Sequence, residues 1–250
     1  MTEKYTTIAT SYKFVQIDDT EAIKNMLKQI CIEHDIKGTI LIASEGINFT
    51  IAGEEANLES FLQNIRSIKE FVDVEYKNFT KANFIPFKKM KVRLKSEIVS
   101  LKDQSLDMHK ITVGEPLEPQ EWSELLSDQN VLLIDTRNSY EFAFGSFENS
   151  INPDTQTFSE LPQWFEKNVD INDKTKKIAM FCTGGIRCEK STAYVKSLGF
   201  ENVYHLKGGV LNYFEKTKIK DNMWVGNLFV FDDRIAVDKD LNPINQNNAN

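Results

Sequence analysis

The chain predicts two units in series: an α+β unit of order βαββαβ, then an α/β unit built on a parallel sheet. Three observations predict this. Before about Lys95, two amphipathic helical runs flank a pair of β-prone runs that meet at a short polar turn. After about Pro119, short apolar runs alternate with helical ones, the pattern of a parallel sheet covered on both faces. Between them Gly114, Pro116 and Pro119 interrupt both patterns. The expected boundaries are 1–95 for the first unit, 96–118 for a linker with some strand content, 119–218 for the second unit, and 219–250 for an extension ending in a disordered tail.

In the first unit, Tyr5 to Phe14 is β-prone. Asp18, Asp19 and Thr20 are capping types ahead of a helix over Glu21 to Glu33, which carries Ile23, Met26, Leu27, Ile30 and Cys31 on one face. Gly38 to Ala43 and Ile47 to Ala52 read as a hairpin joined by Ser44-Glu45-Gly46. Glu54 to Arg66 places Leu58, Phe61, Leu62 and Ile65 inward, and Val72 to Phe79 and Met90 to Leu94 are further strand candidates. This order is that of a ferredoxin-like unit. In the second unit, Pro119 to Ser127 and Phe158 to Phe165 read as helices. Val131 to Asp135, Lys177 to Phe181 and Val203 to Leu206 read as buried strands. A helix over Glu189 to Leu198 stops at Gly199, and another follows Gly208-Gly209. The tail from Asn242 to Asn250 is rich in asparagine, a disorder-prone composition.

With 250 residues, 41% hydrophobic and 27% charged, the composition is that of a soluble globular protein. No apolar run approaches the ~20 residues of a membrane span, and Met1 to Tyr5 lacks a signal core, so a cytoplasmic setting and no membrane partner are expected. Three cysteines argue against a disulfide framework. His34, His109 and His205 are scattered, so neither a metal site nor a cysteine–histidine protease is expected, and no cofactor motif is evident.

Chemistry concentrates in Cys182-Thr183-Gly184-Gly185-Ile186-Arg187-Cys188. Cys182 follows a buried strand and precedes a helix. Gly184 and Gly185 let the backbone curl so that N–H groups of the Cys182-to-Arg187 loop point inward as an anion nest. The helix dipole and Arg187 add positive potential. Such surroundings favour thiolate, so Cys182 is the candidate nucleophile. Arginine comes one position earlier than in cysteine phosphatases, and the smaller loop suits sulfur better than a phosphoryl group. Cys188 is either a packed helix residue or a resolving thiol for a sulfenate or persulfide on Cys182. Asp135, Arg137 and Glu141 are read as supports of the loop through ionic hydrogen bonds rather than as catalysts. Cys31, on an inward helical stripe, is read as core.

This loop resembles a rhodanese active-site loop, whose cysteine carries a persulfide. Asp135 to Phe142 with Gly145 and Ile151-Asn152-Pro153 is similar to the first rhodanese signature, and Gly199 to Gly209 to its closing segment. The second unit is thus expected to be rhodanese-like. Thr39 to Asn48, Pro86 to Leu101, Cys182 to Lys190 and Phe229 to Val237 together resemble the oxygen-dependent tRNA uridine hydroxylase family, over about Tyr5 to Leu241. That resemblance implies an oxidoreductase that 5-hydroxylates the wobble uridine of tRNA. Molecular oxygen is its co-substrate, the tRNA anticodon arm its partner, and Cys182 matches the active-site cysteine; the electron donor is unknown. Longer members continue into a cysteine-containing C-terminal region that this short form lacks. Phe49 stands where the family often has glycine and predicts a looser hairpin after Asn48.

From Lys77 to Lys95 there are seven cations and no acid, within a chain of net charge −7. Alternation over Met90 to Lys95 sets Lys91, Arg93 and Lys95 opposite Met90, Val92 and Leu94. Lys88, Lys89, Lys91, Arg93 and Lys95, with Phe79, Phe84 and Phe87 interleaved, are the candidate RNA-binding residues. A solvated strand face is the plainer reading. Two other functions use the same features: a sulfurtransferase acting on thiosulfate or a persulfide, and a non-catalytic RNA-binding or docking module.

Overall fold

The computed structural model describes residues 6–103, 105–217 and 223–244. They form two units. One runs to Val99 and takes in Phe231–Arg234; the other holds Ser100–Val230 and the chain from Ile235 on.

The first unit is a five-stranded sheet with both its α-helices on one face. Its elements are β1 (Thr6–Phe14), α1 (Thr20–Glu33), β2 (Lys37–Ala43), β3 (Gly46–Gly53), α2 (Glu55–Ile65), β4 (Asn78–Ala82) and β5 (Met90–Leu94), in the sheet order β4-β1-β3-β2-β5. Asp19 caps α1 by accepting the Ala22 N–H at 2.9 Å. The β2–β3 hairpin pairs Ala43 with Gly46 across Ser44-Glu45. Glu45 Oε1 accepts the Ile98 N–H at 2.7 Å, and Asn48 Nδ2 donates to the Ile98 carbonyl at 3.1 Å, so the turn clamps the chain that follows β5. Ile23, Leu27, Cys31, Leu58, Phe61 and Ile65 of the helices pack on Ala9, Ile40, Phe49, Ile51 and Val92 of the strands.

Two expectations are corrected here. Val72 to Phe79 is not a strand: a 3-10 turn covers Lys69–Phe71 and pairing begins only at Asn78. Phe71 and Val74 plug the core from a loop, and the Tyr76 hydroxyl reaches the Leu58 carbonyl, so these apolar residues serve loop packing rather than alternation. Phe49 does not loosen the hairpin. It sits inside β3, fully buried, edge-on to Phe61 and Tyr76. The basic strand β5 is an addition to the βαββαβ core, pairing parallel to β2 at the sheet edge.

The second unit contains β6 (Glu115–Leu117), α3 (Pro119–Leu126), β7 (Val131–Asp135), α4 (Ser139–Phe142), β8 (Gly145–Phe147), α5 (Leu161–Asn168), β9 (Lys177–Phe181), α6 (Ile186–Ser197), β10 (Val203–Leu206), α7 (Gly209–Lys216), β11 (Trp224–Gly226), β12 (Leu228–Phe229) and β13 (Ala236–Val237). The strands β6-β10-β9-β7 form a sheet in which every pairing is parallel. β8 pairs with β11, and β12 with β13, both antiparallel. The helix expected over Phe158 to Phe165 is a 3-10 turn over Phe158–Glu160 that runs into α5, where Pro162 suits a first turn. Trp122, Phe147, Phe181, Tyr213 and Trp224 form the aromatic centre of the core, with ring centroids 4.8–6.2 Å apart. Of the tail, Pro243 bridges Val237 and Asn242 donates to Asp238; residues 245–250 lie outside the described residues. Among the described residues no helix is long and apolar enough to cross a membrane.

Candidate active site

Cys182 lies one residue past β9, at the carboxyl end of a central parallel strand, where open α/β sheets place their ligands. The helix that follows starts at Ile186, three residues before the sequence suggests. This early start builds the cradle. Gly185 is the N-cap with φ +93°, a left-handed turn that glycine adopts without strain, and its N–H donates to Cys182 Sγ at 3.1 Å. The backbone N–H groups of Arg187 and Cys188, in the first turn of α6, also reach the sulfur.

A second helix holds the loop from behind. The Val210 N–H donates to the Cys182 carbonyl at 3.0 Å and the Leu211 N–H to the Thr183 carbonyl at 3.1 Å, so the first turn of α7 is satisfied by the loop itself. The fit leaves no room for a side chain at Gly209. A Cβ there would stand 2.5 Å from both of those carbonyl oxygens, at a φ of +69°. Gly208-Gly209 thus shapes the site from outside the loop, a role the sequence signals only as paired glycines before a helix.

The thiol is deep, with Cys182 only 2% exposed. Its surroundings are nonetheless polar. Burial alone pushes the thiol up. A hydrogen bond from Cys188, the charge of Arg187 and the Arg187 and Cys188 amides outweigh it and bring the pKa from 9.0 down to about 7. Cys188, fully buried, goes the other way, held well above its ordinary value by burial and by the neighbouring Cys182 thiolate. Thr136 Oγ1 lies 4.0 Å from Cys188 Sγ. The loop therefore pairs one thiol that ionises near neutrality with one that stays protonated and donates to it. Thr183 Oγ1 is buried with no hydrogen-bond partner, a polar atom that a bound oxygen or sulfur would satisfy. Cys31 is remote from this chemistry, buried on α1 and pushed up to about 12 by that burial.

Arg187 does not aim a free fork at the sulfur. Its guanidinium is tied to Glu141, with Nη1 2.8 Å from Oε2 and Nη2 3.1 Å from Oε1, and it acts on Cys182 through charge. Glu141 also accepts the Asn138 N–H at 3.0 Å, closing the capping box of α4. Asp135 and Arg137 form a separate ion pair, both fully buried, with Nη2 to Oδ2 at 2.6 Å. Arg137 donates further to the Gly145 carbonyl and lies 4.8 Å from the Trp224 ring centre, and Ser146 Oγ donates to Asp135 at 2.8 Å. Asp135, Arg137 and Glu141 thus frame the ends of β7 and α4, and Glu141 alone of the three touches the loop.

The basic residues belong to the first unit. Lys88, Lys89, Lys91, Arg93 and Lys95 are all exposed, while Val92 between them is buried. Strand register lines Lys91 up with Thr39, Thr50 and Thr10, and Arg93 with Leu41, Asn48 and Tyr12, on the sheet face away from the helices. Two cations of the run are engaged elsewhere: Lys77 stands 4.4 Å over the Tyr12 ring and Lys81 pairs with Glu55. The side chain of Phe79 lies outside the described residues. The threonine row could be read from the sequence only with the register in hand.

Residues 6–98 match the UPF0176 acylphosphatase like domain family, and residues 118–216 match the Rhodanese-like domain family. A tRNA uridine(34) hydroxylase of Neorickettsia sennetsu is 48% identical over 97% of this chain and 86% of its own length. Proteins of the same name from Wolbachia pipientis wMel and Brucella anthropi are 50% and 48% identical, over 95% and 92% of this chain and 85% and 75% of theirs. The chain belongs to the tRNA uridine(34) hydroxylase family. Within that family frame, the rhodanese-like domain is the one that contains the thiol cradle, and the acylphosphatase-like domain the one that contains the cationic edge strand.

Proposed function

We propose that this protein hydroxylates C5 of the wobble uridine of tRNA, in the cytoplasm, with molecular oxygen as co-substrate and Cys182 as the reacting group. The observation that carries the reading is the 48–50% identity to tRNA uridine(34) hydroxylases over 92–97% of the chain. The cradle supports the chemistry, since a thiol whose pKa is drawn down to about 7 by its neighbours gains thiolate character and is both a nucleophile and an electron source.

The electrons balance on the two thiols. Dioxygen accepts four electrons, two from the uridine C5–H bond and two from sulfur. Uridine, dioxygen and the Cys182 thiolate give 5-hydroxyuridine and a sulfenate on Cys182. Cys188 then attacks that sulfur, a proton is taken up, water leaves, and a Cys182–Cys188 disulfide forms. A cellular dithiol reductant restores the pair by thiol–disulfide exchange. Thr183 Oγ donates to the sulfenate oxygen. The anticodon arm lies on the β5 edge, where Lys88, Lys89, Lys91, Arg93 and Lys95 meet phosphates and the threonine row meets phosphate or 2′-hydroxyl oxygens.

Nucleoside mass spectrometry of tRNA tests the reading. Cells lacking the gene should lose 5-hydroxyuridine, cells grown with little oxygen should make less of it, and Cys182→Ser should fail to restore it. In Cys188→Ser protein a dione reagent should trap the sulfenate on Cys182. Unchanged 5-hydroxyuridine in the deletion strain, with rapid thiosulfate-to-cyanide sulfur transfer by the pure protein, would replace this reading with a sulfurtransferase.

A further inference from the structure

A base must leave its stack before C5 chemistry can reach it, which costs a few kcal/mol. Proteins that hold unstacked bases return that energy with an exposed aromatic face. The loop itself offers none: Cys182, Thr183, Gly184, Gly185, Ile186 and Arg187 include no ring. The large aromatic core of the same unit is buried. Tyr140 and Phe144, 44% and 37% exposed, are the aromatic side chains of this unit that stand open among the described residues.

Tyr140 is placed by the site. It immediately precedes Glu141, whose carboxylate holds Arg187 at 2.8 Å, and it shares α4 with that residue. Its ring is fixed rather than loose. The Phe229 ring braces it at 5.4 Å and 80°, Phe144 backs Phe229 at 5.4 Å, and the Asn138 side-chain amide donates to its hydroxyl at 3.3 Å. A tyrosine held edge-on by one ring keeps a face available for another, and an immobilised ring loses little entropy when a base stacks on it.

We propose that Tyr140, braced by Phe229 and Phe144, is the stacking platform that receives the unstacked pyrimidine of the tRNA anticodon beside the Cys182 loop. The platform rests on the tRNA hydroxylase reading and adds to it a positioning residue for the base. Glu141, the next residue of α4, holds Arg187, whose charge acts on the Cys182 sulfur. The stack selects a planar base without reading its hydrogen-bonding edge, leaving identity to the loop and to the rest of the anticodon arm.

The test uses the full chain and an anticodon stem-loop RNA with uridine at position 34. Tyr140→Ala should weaken binding about five- to 150-fold, the range reported for losing a base–aromatic stack. Tyr140→Phe should retain most of the affinity, and Tyr140→Leu, similar in bulk but without a π-face, should not. Photo-crosslinking from 5-iodouridine at position 34 should mark Tyr140. In cells, 5-hydroxyuridine should fall with Tyr140→Ala and recover with Tyr140→Phe. Thermal melts of each variant, expected near wild type for so exposed a residue, separate loss of the platform from loss of the fold. A wild-type protein that neither binds the RNA nor supports 5-hydroxyuridine would remove the tRNA reading itself. Binding and modification left intact by Tyr140→Ala, with the crosslink elsewhere, would remove the platform alone.

Discussion

The ionisation of Cys182 is the most exposed consequence of the cradle, and Cys188 is the place to perturb it. Lowering the pKa from 9.0 to about 7 favours the thiolate by about 3 kcal/mol, at roughly 1.4 kcal/mol per pH unit. Burial opposes this, so the hydrogen bonds and the Arg187 charge together supply more than that figure. Cys188 contributes the leading favourable contact, an S–H donor to a charged acceptor. Such bonds are worth about 1.5–3 kcal/mol, and a thiol donor falls at the weak end. Cys188→Ala should therefore raise the Cys182 midpoint from about 7 to about 8, while Cys188→Ser, which keeps an O–H donor, should leave it near 7. Thiolate ultraviolet absorbance reads this directly. Cys31 at about 12 and Cys188, held well above its ordinary range, stay silent, so the folded protein should gain one thiolate per chain between about pH 5.5 and about pH 9. A wild-type midpoint at or above 8.5, or a Cys188→Ala midpoint equal to wild type, would refute the reasoning.

Four further outcomes follow from the structure. Because the folded pKa of Cys182 is depressed, its ionisation stabilises the fold fully above about pH 9 and not at all below about pH 7; the stability advantage of wild type over Cys182→Ser, from urea melts, should grow by about 3 kcal/mol across that window. Asp135→Ala leaves a fully buried Arg137 without its carboxylate and should cost about 3–5 kcal/mol in the same assay. Gly209→Ala sets a Cβ against two loop carbonyls, so it should both lower the melting temperature and raise the Cys182 midpoint. Replacing Lys91, Arg93 and Lys95 with glutamate should weaken RNA binding at low salt and flatten its salt dependence by roughly 0.7 in slope per lost phosphate contact, with the Cys182 titration unmoved.

Much of this was legible along the chain because it depends on local chemistry. Helical periodicity announces α1 and α2, apolar runs announce β7, β9 and β10, and strict alternation announces which face of β5 carries Lys91, Arg93 and Lys95. The cysteine between a strand and two glycines marks the candidate site. Val72 to Tyr76 misled because an apolar run plugging a loop and one forming a strand share a composition, and only the neighbouring α2 decides between them.

By itself the sequence pointed to the main helices, to the strands of the parallel sheet and to Cys182 as the candidate nucleophile, all read from residues adjacent in the chain. Tertiary structure decided what that sulfur experiences. It starts α6 at Ile186 so that amides converge on Sγ, abuts α7 against the loop through Gly209, ties Arg187 to a glutamate 46 residues away, and buries one thiol as donor to the other. The physical reason is range. Propensity and pattern act over a few residues, whereas a pKa is the sum of burial, charge and hydrogen bonds at a point where distant segments meet.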